Sequence, residues 1–260
     1  MSWLMPGGPG IWRGFELFFH PWLRRKLHGI HLAGLPRPEA LPDPALPLVL
    51  VANHVSWFDG FLLREVQRRV RPQAPLYTVM LESELKNNRV LRALGGVGFD
   101  PERPMGLRRV VRGLAAYPDR VSRGSSSAAP VVAFFPQGRI YPSFREPLGF
   151  RPGVRLVIRG LAPCTVLGVG MHLEPGNTVA PCAFLHLAPP LTIRSAEEAP
   201  GPEALEAGVA SALSRIHRHL RTYGEAAAEA WPGDPVESLG GPEARDRSKE
   251  PGRKDRVDPS

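Results

Sequence analysis

The hydrophobic pattern of this chain changes period repeatedly. Residues 10–32 place Ile11, Trp12, Phe15, Phe18, Phe19, Trp22 and Leu23 on a broad aromatic-rich face, with Arg13, Arg24, Arg25 and Lys26 beside it. That spacing predicts an amphipathic helix, kinked or split at Pro21. Aromatics on one side and basic residues on the other suit a helix lying in the headgroup layer of a membrane. The same aromatics would equally serve to pack the helix onto a core.

The pattern then shortens. Residues 47–53 form an apolar run after a Pro-rich approach, which predicts a buried strand. Residues 57–70 return to helical spacing, with Ser56 as a candidate N-cap and Asp59 three residues on as its capping-box partner. Strands are expected at 76–81, 130–135, 164–171 and 183–193, and helices at 83–94, 104–117 and 153–161. Between them, 121–129 reads as a flexible Ser- and Gly-rich connection. Leu205, Val209, Ala212, Leu213, Ile216 and Leu220 predict a long helix over 202–223, stopped by Gly224. After residue 232 the periodicity ends and charges of both signs mix, the signature of a disordered tail.

Strands alternating with helices imply an α/β fold, a mixed central sheet flanked by helices. The expected organisation is an N-terminal amphipathic membrane-associating segment over 1–34, one α/β domain over 35–231 and a disordered tail over 232–260. At 260 residues the chain is long enough for that domain to bury a full core.

Charge and cysteine content narrow the partners. Formal net charge is +8 and the sequence pI is about 10.2, which favours anionic surfaces or phosphorylated substrates. Nearly all the basic residues are arginine, the residue suited to bidentate phosphate contacts. No nucleic-acid-binding motif accompanies the charge, so no nucleic-acid partner is expected. Cys164 and Cys182 stand far apart and outside any C-x-x-C pair, and no His pair has ligand spacing, so no metal site is expected. No nucleotide-binding glycine loop and no serine-hydrolase elbow is present. No run of about 18 apolar residues is available to span a bilayer.

The chemistry gathers where two buried strands end. Asn53-His54-Val55-Ser56-Trp57-Phe58-Asp59 follows the strand at 47–53. A hydroxyl is too weak an acid to attack a thioester unaided. An imidazole, with an ordinary pKa of about 6.5, can take its proton near neutral pH. A carboxylate behind the ring fixes the tautomer and stabilises the imidazolium. His54 and Asp59 have the spacing to do this, although H-x4-D alone is a weak signal and Ser56 with Asp59 could simply cap a helix. Phe134-Phe135-Pro136-Gln137-Gly138-Arg139 ends the strand at 130–135. Its Pro-x-Gly turn is expected to expose backbone N–H groups near Gly138, donors for a phosphate or a developing oxyanion.

Taken together, N-H-x-S-x-x-D followed by F-P-x-G resembles the glycerolipid acyltransferase family that includes 1-acylglycerol-3-phosphate acyltransferases. The resemblance runs from residue 47 to about 193. Gly96-Val97-Gly98-Phe99-Asp100 with Arg103 is similar to a middle block of that family, and Phe150-Arg151-Pro152-Gly153 to its later F-x-x-G block. The family pattern is not kept throughout: Gln137 stands where the family usually has Glu, and Arg139-Ile140 where it has Thr-Arg.

The resemblance implies an O-acyltransferase with His54 and Asp59 as the catalytic pair. Arg103, Phe135, Pro136, Gln137, Gly138 and Arg139 would be the acceptor side. The acyl donor would be a thioester of coenzyme A or of acyl carrier protein, with no further cofactor. The acceptor would be a lysophospholipid, with a glycolipid or a glycosylated terpenoid as the alternative. A peripheral location on the cytoplasmic face of the membrane follows. A basic membrane-binding protein of the same fold without turnover is the rival of another class, motivated by Gln137.

Overall fold

The computed structural model describes residues 9–37, 43–103, 105–116 and 129–233. The expected connection over 121–128 and the expected tail beyond 233 lie outside the described residues.

Eight strands form one mixed sheet. Strands β1 (Gly29–Ala33), β2 (Leu48–Ala52), β3 (Leu76–Leu81), β4 (Gly96–Phe99), β5 (Val131–Phe134), β6 (Cys164–Glu174) and β7 (Cys182–Leu187) take the order β1-β7-β6-β2-β5-β3-β4. A short β8 (Leu191–Ile193) pairs antiparallel with the start of β6, while β7 pairs antiparallel with its end. Strands β2, β3, β4, β5 and β6 run parallel, so their C-terminal ends share one edge. The candidate site residues His54, Asp59 and Phe135 to Arg139 lie along that edge, where open α/β sheets generally build their sites.

Strand β2 is buried on both faces, and its alternation divides the core. Val49 and Val51 join Val132, Phe134 and Val166 on one face. Helices α5 (Gly106–Ala115), α6 (Gly153–Leu161) and α7 (Pro202–Tyr223) cover it, contributing Val110, Leu114, Val157, Ile158, Val209 and Leu213. Leu48, Leu50 and Ala52 point to the other face. There Leu62, Leu63 and Val66 of α2 (Asp59–Val70) pack beside Leu23 of α1 (Pro9–Lys26) and Leu27 just after it. Full burial of side chains such as these contributes about 1.5–3 kcal/mol each.

Helix α1 uses its aromatic face for packing and leaves other apolar side chains exposed. Trp12, Phe15 and Phe19 pack on Phe61 of α2, with the Phe19 and Phe61 rings 4.0 Å apart. Arg64 of α2 fastens the helix by an ion pair to Glu16 at 3.0 Å, and its guanidinium lies over Trp12. Leu17 and Phe18 are left 76% and 85% exposed, as are parts of Trp22 and Trp57, whose rings meet edge to face. Among the described residues no helix is long and apolar enough to cross a membrane.

Several boundaries differ from expectation. The helix ends at Lys26, and residues 29–33 form β1, which pairs parallel with β7 inside the main sheet. A division after residue 34 therefore leaves one strand of the sheet on its N-terminal side. The helix expected over 83–94 is two, α3 (Glu82–Asn87) and α4 (Arg89–Ala93). The strand expected over 183–193 is β7 and β8.

Three histidines are expected to make the fold acid-sensitive. Burial pushes His31, His186 and His217 below the ordinary value of 6.5. Nearby charges add to the effect: His28 and His219 for His31, Arg215 for His186, and His172 and Arg221 for His217. The unfolded chain then binds protons at a pH where the folded chain does not, so stability rises with pH across that window. The thermal midpoint is expected to fall when pH is lowered from about 7.5 to about 5.5. A midpoint that is flat over this range would contradict the burial of these rings.

Candidate active site

The end of β2 places His54, and the first residue of α2 places Asp59. Asp59 is completely buried. Its Oδ2 accepts from His54 Nδ1 at 2.7 Å, Val55 N–H at 2.6 Å and Ser56 N–H at 3.0 Å. Its Oδ1 accepts from the Ser56 hydroxyl at 2.5 Å. One carboxylate thus gathers a whole loop of donors, which is how it tolerates burial. The helix begins at Asp59 rather than just after Ser56: Ser56 Oγ accepts from Phe58 N–H, and the reciprocal bond of the expected capping box runs through Asp59.

With Nδ1 donating to a carboxylate, the neutral ring carries its lone pair on Nε2. The His54 side chain is partly exposed, and no protein group bonds Nε2 among the described residues. Phe135 stacks on the ring at 4.6 Å with planes 24° apart, so ring orientation is held on its face as well as its edge.

The neighbouring residues hold the loop. Asn53 receives Met171 N–H on its side-chain oxygen and donates to the Met171 carbonyl, extending the β2–β6 ladder by one residue. Gln137 is 2% exposed. Its carbonyl accepts from His54 N–H at 2.7 Å, and its amide donates to the Leu148 carbonyl at 2.9 Å. An amide matches this pair of partners because it offers one acceptor and one donor. Gln137→Ala would strand both buried backbone groups, and a loss of about 2–4 kcal/mol is expected. Urea unfolding of the two proteins measures it, and a difference near zero would refute the bracing role.

The Pro-x-Gly turn is present, with Gly138 at φ +67, in the left-handed region that glycine tolerates. The N–H of Gly138 itself is engaged by the Phe135 carbonyl at 3.1 Å. It is therefore not the exposed donor that the turn was expected to supply; the following N–H groups of Arg139 and Ile140 have no backbone acceptor among the described residues. Tyr141 N–H bonds the His54 carbonyl at 2.8 Å, tying the two segments together again.

Arginines surround this turn. The Arg151 guanidinium lies 3.3 Å from where a side chain at Gly138 would begin. Arg145 stacks on the Tyr141 ring at 3.7 Å. A hydrogen bond from Arg145 holds the Tyr141 phenol below its ordinary range, and the charges of Arg139 and Arg151 act in the same direction. Arg139, Arg145 and Arg151 thus gather around Tyr141, whose backbone is bonded to that of His54; Arg139 and Arg151 are exposed and Arg145 is half-buried. Pro136 is buried. Arg103 stands at the same sheet edge but beyond β5 and β3, and it pairs with Asp100 at 3.3 Å. Arg145 and Tyr141 carried no motif signal in the sequence, while Arg151 lay inside the F-x-x-G block.

The described residues contain no group of three or more His, Cys, Asp or Glu able to hold a metal. Both cysteines are buried and free, and burial pushes the Cys164 thiol up to about 12.

No protein-family model matches the chain, and no curated protein matches it. Among solved structures it is similar to the 1-acyl-sn-glycerophosphate (LPA) acyltransferase PlsC from Thermotoga maritima. That similarity is at 19% identity and a TM-score of 0.46, and it covers 78% of this chain and 77% of that one. At this identity and TM-score, any functional conclusion rests on the site itself.

Proposed function

We propose that this chain is an O-acyltransferase that moves a fatty acyl group from a thioester to the hydroxyl of a lysophospholipid. The observation that carries the reading is the His54–Asp59 pair, 2.7 Å apart at an open sheet edge with Nε2 unengaged. His54 Nε2 takes the acceptor hydroxyl proton as the oxygen attacks the thioester carbonyl. Asp59 holds the tautomer and stabilises the imidazolium. The tetrahedral oxyanion collapses, the C–S bond breaks, and the thiolate leaves with the proton returned from His54. The N–H groups of Arg139 and Ile140 are the candidate oxyanion donors. We take transfer to be direct, since both cysteines are buried and neither offers an accessible thiol to carry the acyl group.

The cluster of Arg139, Arg145 and Arg151 favours a phosphate on the acceptor, because guanidinium forks match phosphate oxygens. That supports a 1-acylglycerol-3-phosphate-like lipid over a glycolipid or a glycosylated terpenoid. Arg103 would serve only the outer part of a head group. Gln137 braces the catalytic loop, so replacement of the family's usual Glu takes no charge from an exposed acceptor surface. The exposed Leu17, Phe18, Trp22 and Trp57 support peripheral attachment to a membrane, and the proposed thioester donor favours its cytoplasmic face.

Purified protein given long-chain acyl-CoA or acyl carrier protein thioester, with a panel of phosphorylated and sugar-bearing acceptors, tests this by mass spectrometry of the lipids. Acylated product from the phosphorylated lysolipids is the expected result. Product only from sugar-bearing acceptors would overturn the acceptor assignment. No product from any pairing, by folded protein that still binds vesicles, would favour the non-catalytic reading.

A further inference from the structure

A second basic feature lies away from His54. Helices α5 and α6 meet closely where Gly160 faces Val111: a side chain beginning at Gly160 would come within 2.2 Å of a Val111 methyl. The two helices form the walls of a groove of about 510 Å³. Arg108 and Arg112 line it from α5, one turn apart, and Arg155 and Arg159 line it from α6 with the same spacing. Val111, Leu156 and Gly160 lie between them, and Pro152 closes one end.

No carboxylate comes within ion-pair distance of these four arginines among the described residues. Arg155 Nε donates to the Ala199 carbonyl, which fixes its stem and leaves its outer nitrogens available. Glu197 is the nearby acid: hydrogen bonds from Ser195 and its own backbone hold its carboxyl below the ordinary range, and Arg159 contributes least. Four guanidiniums of one sign along a concave surface focus anions. The volume falls within the roughly 300–1,000 Å³ of small-ligand sites. A planar ring can stack on guanidinium faces while phosphates take their edges.

Position decides which anion. Val111 and Leu156 belong to the core on the α5–α6 face of the sheet, whereas Leu23 of α1 belongs to the opposite face. A membrane meeting Leu17, Phe18, Trp22 and Trp57 would therefore leave the groove facing water. The occupant is a soluble anion and not a bilayer head group. The end at Pro152 also abuts the catalytic turn: the adjacent Arg151 N–H bonds the Pro136 carbonyl at 3.1 Å, and its side chain lies over Gly138.

We infer that the Arg108–Arg112–Arg155–Arg159 groove binds the adenosine phosphates of a coenzyme A thioester, with its pantetheine arm passing Pro152 toward His54. This deepens the proposed acyl transfer and rests on it for the identity of the donor. Coenzyme A, rather than an acidic carrier protein, fits because arginines of both helices converge on one cavity of about 510 Å³, the size of a small-ligand site.

Free coenzyme A, which cannot turn over, is the probe. Calorimetric titration compares the full-length protein, Arg112→Ala/Arg159→Ala and His54→Ala. All four groove arginines are exposed, so the double variant keeps its fold, and a thermal melt verifies that. Wild type and His54→Ala are expected to bind alike, and the double variant to bind about tenfold or more weakly. Adenosine 3′,5′-bisphosphate is expected to compete in wild type. Equal affinity in the double variant, no binding by wild type, or binding of an acidic carrier protein in place of coenzyme A would overturn the groove assignment. The two readings fail separately. Arginine-dependent binding without acyl transfer from any donor would sink the enzyme and leave the groove. Transfer that is unchanged in the double variant would do the reverse.

Discussion

His54→Ala is expected to lower acyl transfer by about 10²- to 10⁴-fold, the usual contribution of a positioned general base. Among the described residues, the other histidine near this edge, His172, has both ring nitrogens engaged, by Ser143 and Glu174, the arginines stay protonated, and the Ser56 hydroxyl already donates to Asp59. The loss should fall on kcat and spare acceptor binding, because the arginine cluster is untouched. Folding should also be spared. Asp59 retains Val55 N–H, Ser56 N–H and the Ser56 hydroxyl, and His54 N–H still reaches Gln137. Steady-state kinetics beside a thermal melt checks both parts. Activity within a few fold of wild type would remove His54 from the mechanism.

Asp59→Asn is the companion substitution, and it separates charge from shape. The amide can keep its oxygen where three donors converge and turn its NH₂ toward the Ser56 oxygen. That hydroxyl already accepts from Phe58 N–H but has a second lone pair. The loop should therefore stay folded while the charge that stabilises the imidazolium is gone. Activity is expected to fall by about 10²- to 10⁴-fold with a small change in melting temperature. Asp59→Ala, by contrast, should also destabilise by several kcal/mol, since two buried backbone N–H groups lose their acceptor at about 1–3 kcal/mol each. If the Asn variant kept activity within a few fold of wild type, Asp59 would be a cap and nothing more.

The sheet was largely legible because its strands are unbroken apolar runs, which burial on both faces demands. Val49 through Ala52 and Val131 through Phe134 are of this kind. The edges were harder to read. Residues 29–33 carry too few apolar positions to signal a strand after a long helix, and β1 forms because β7 offers it a parallel partner. The His54–Asp59 pair was legible as spacing. What spacing does not report is that Asp59 would be fully buried and shared among four donors. Gln137 shows the opposite limit. In the sequence it sits within a substrate-binding motif; in the structure its side chain spans two backbone groups on segments far apart in the chain. Arg145 and Tyr141 became visible only when the turn after Gly138 brought them beside His54. The α5–α6 groove was hidden for a similar reason: its arginines read as two ordinary solvated helix faces until the helices were set side by side.

The measurement that bears most directly on the mechanism is acceptor-dependent thiol release. Wild type and His54→Ala would be given an acyl thioester with and without a lysophospholipid, and the protein mass read after each reaction. Thiol should appear only when the acceptor is present, only in wild type, and with no acyl adduct on the protein. Thiol release without acceptor, an acylated protein, or full activity in His54→Ala would contradict direct transfer by the His54–Asp59 pair.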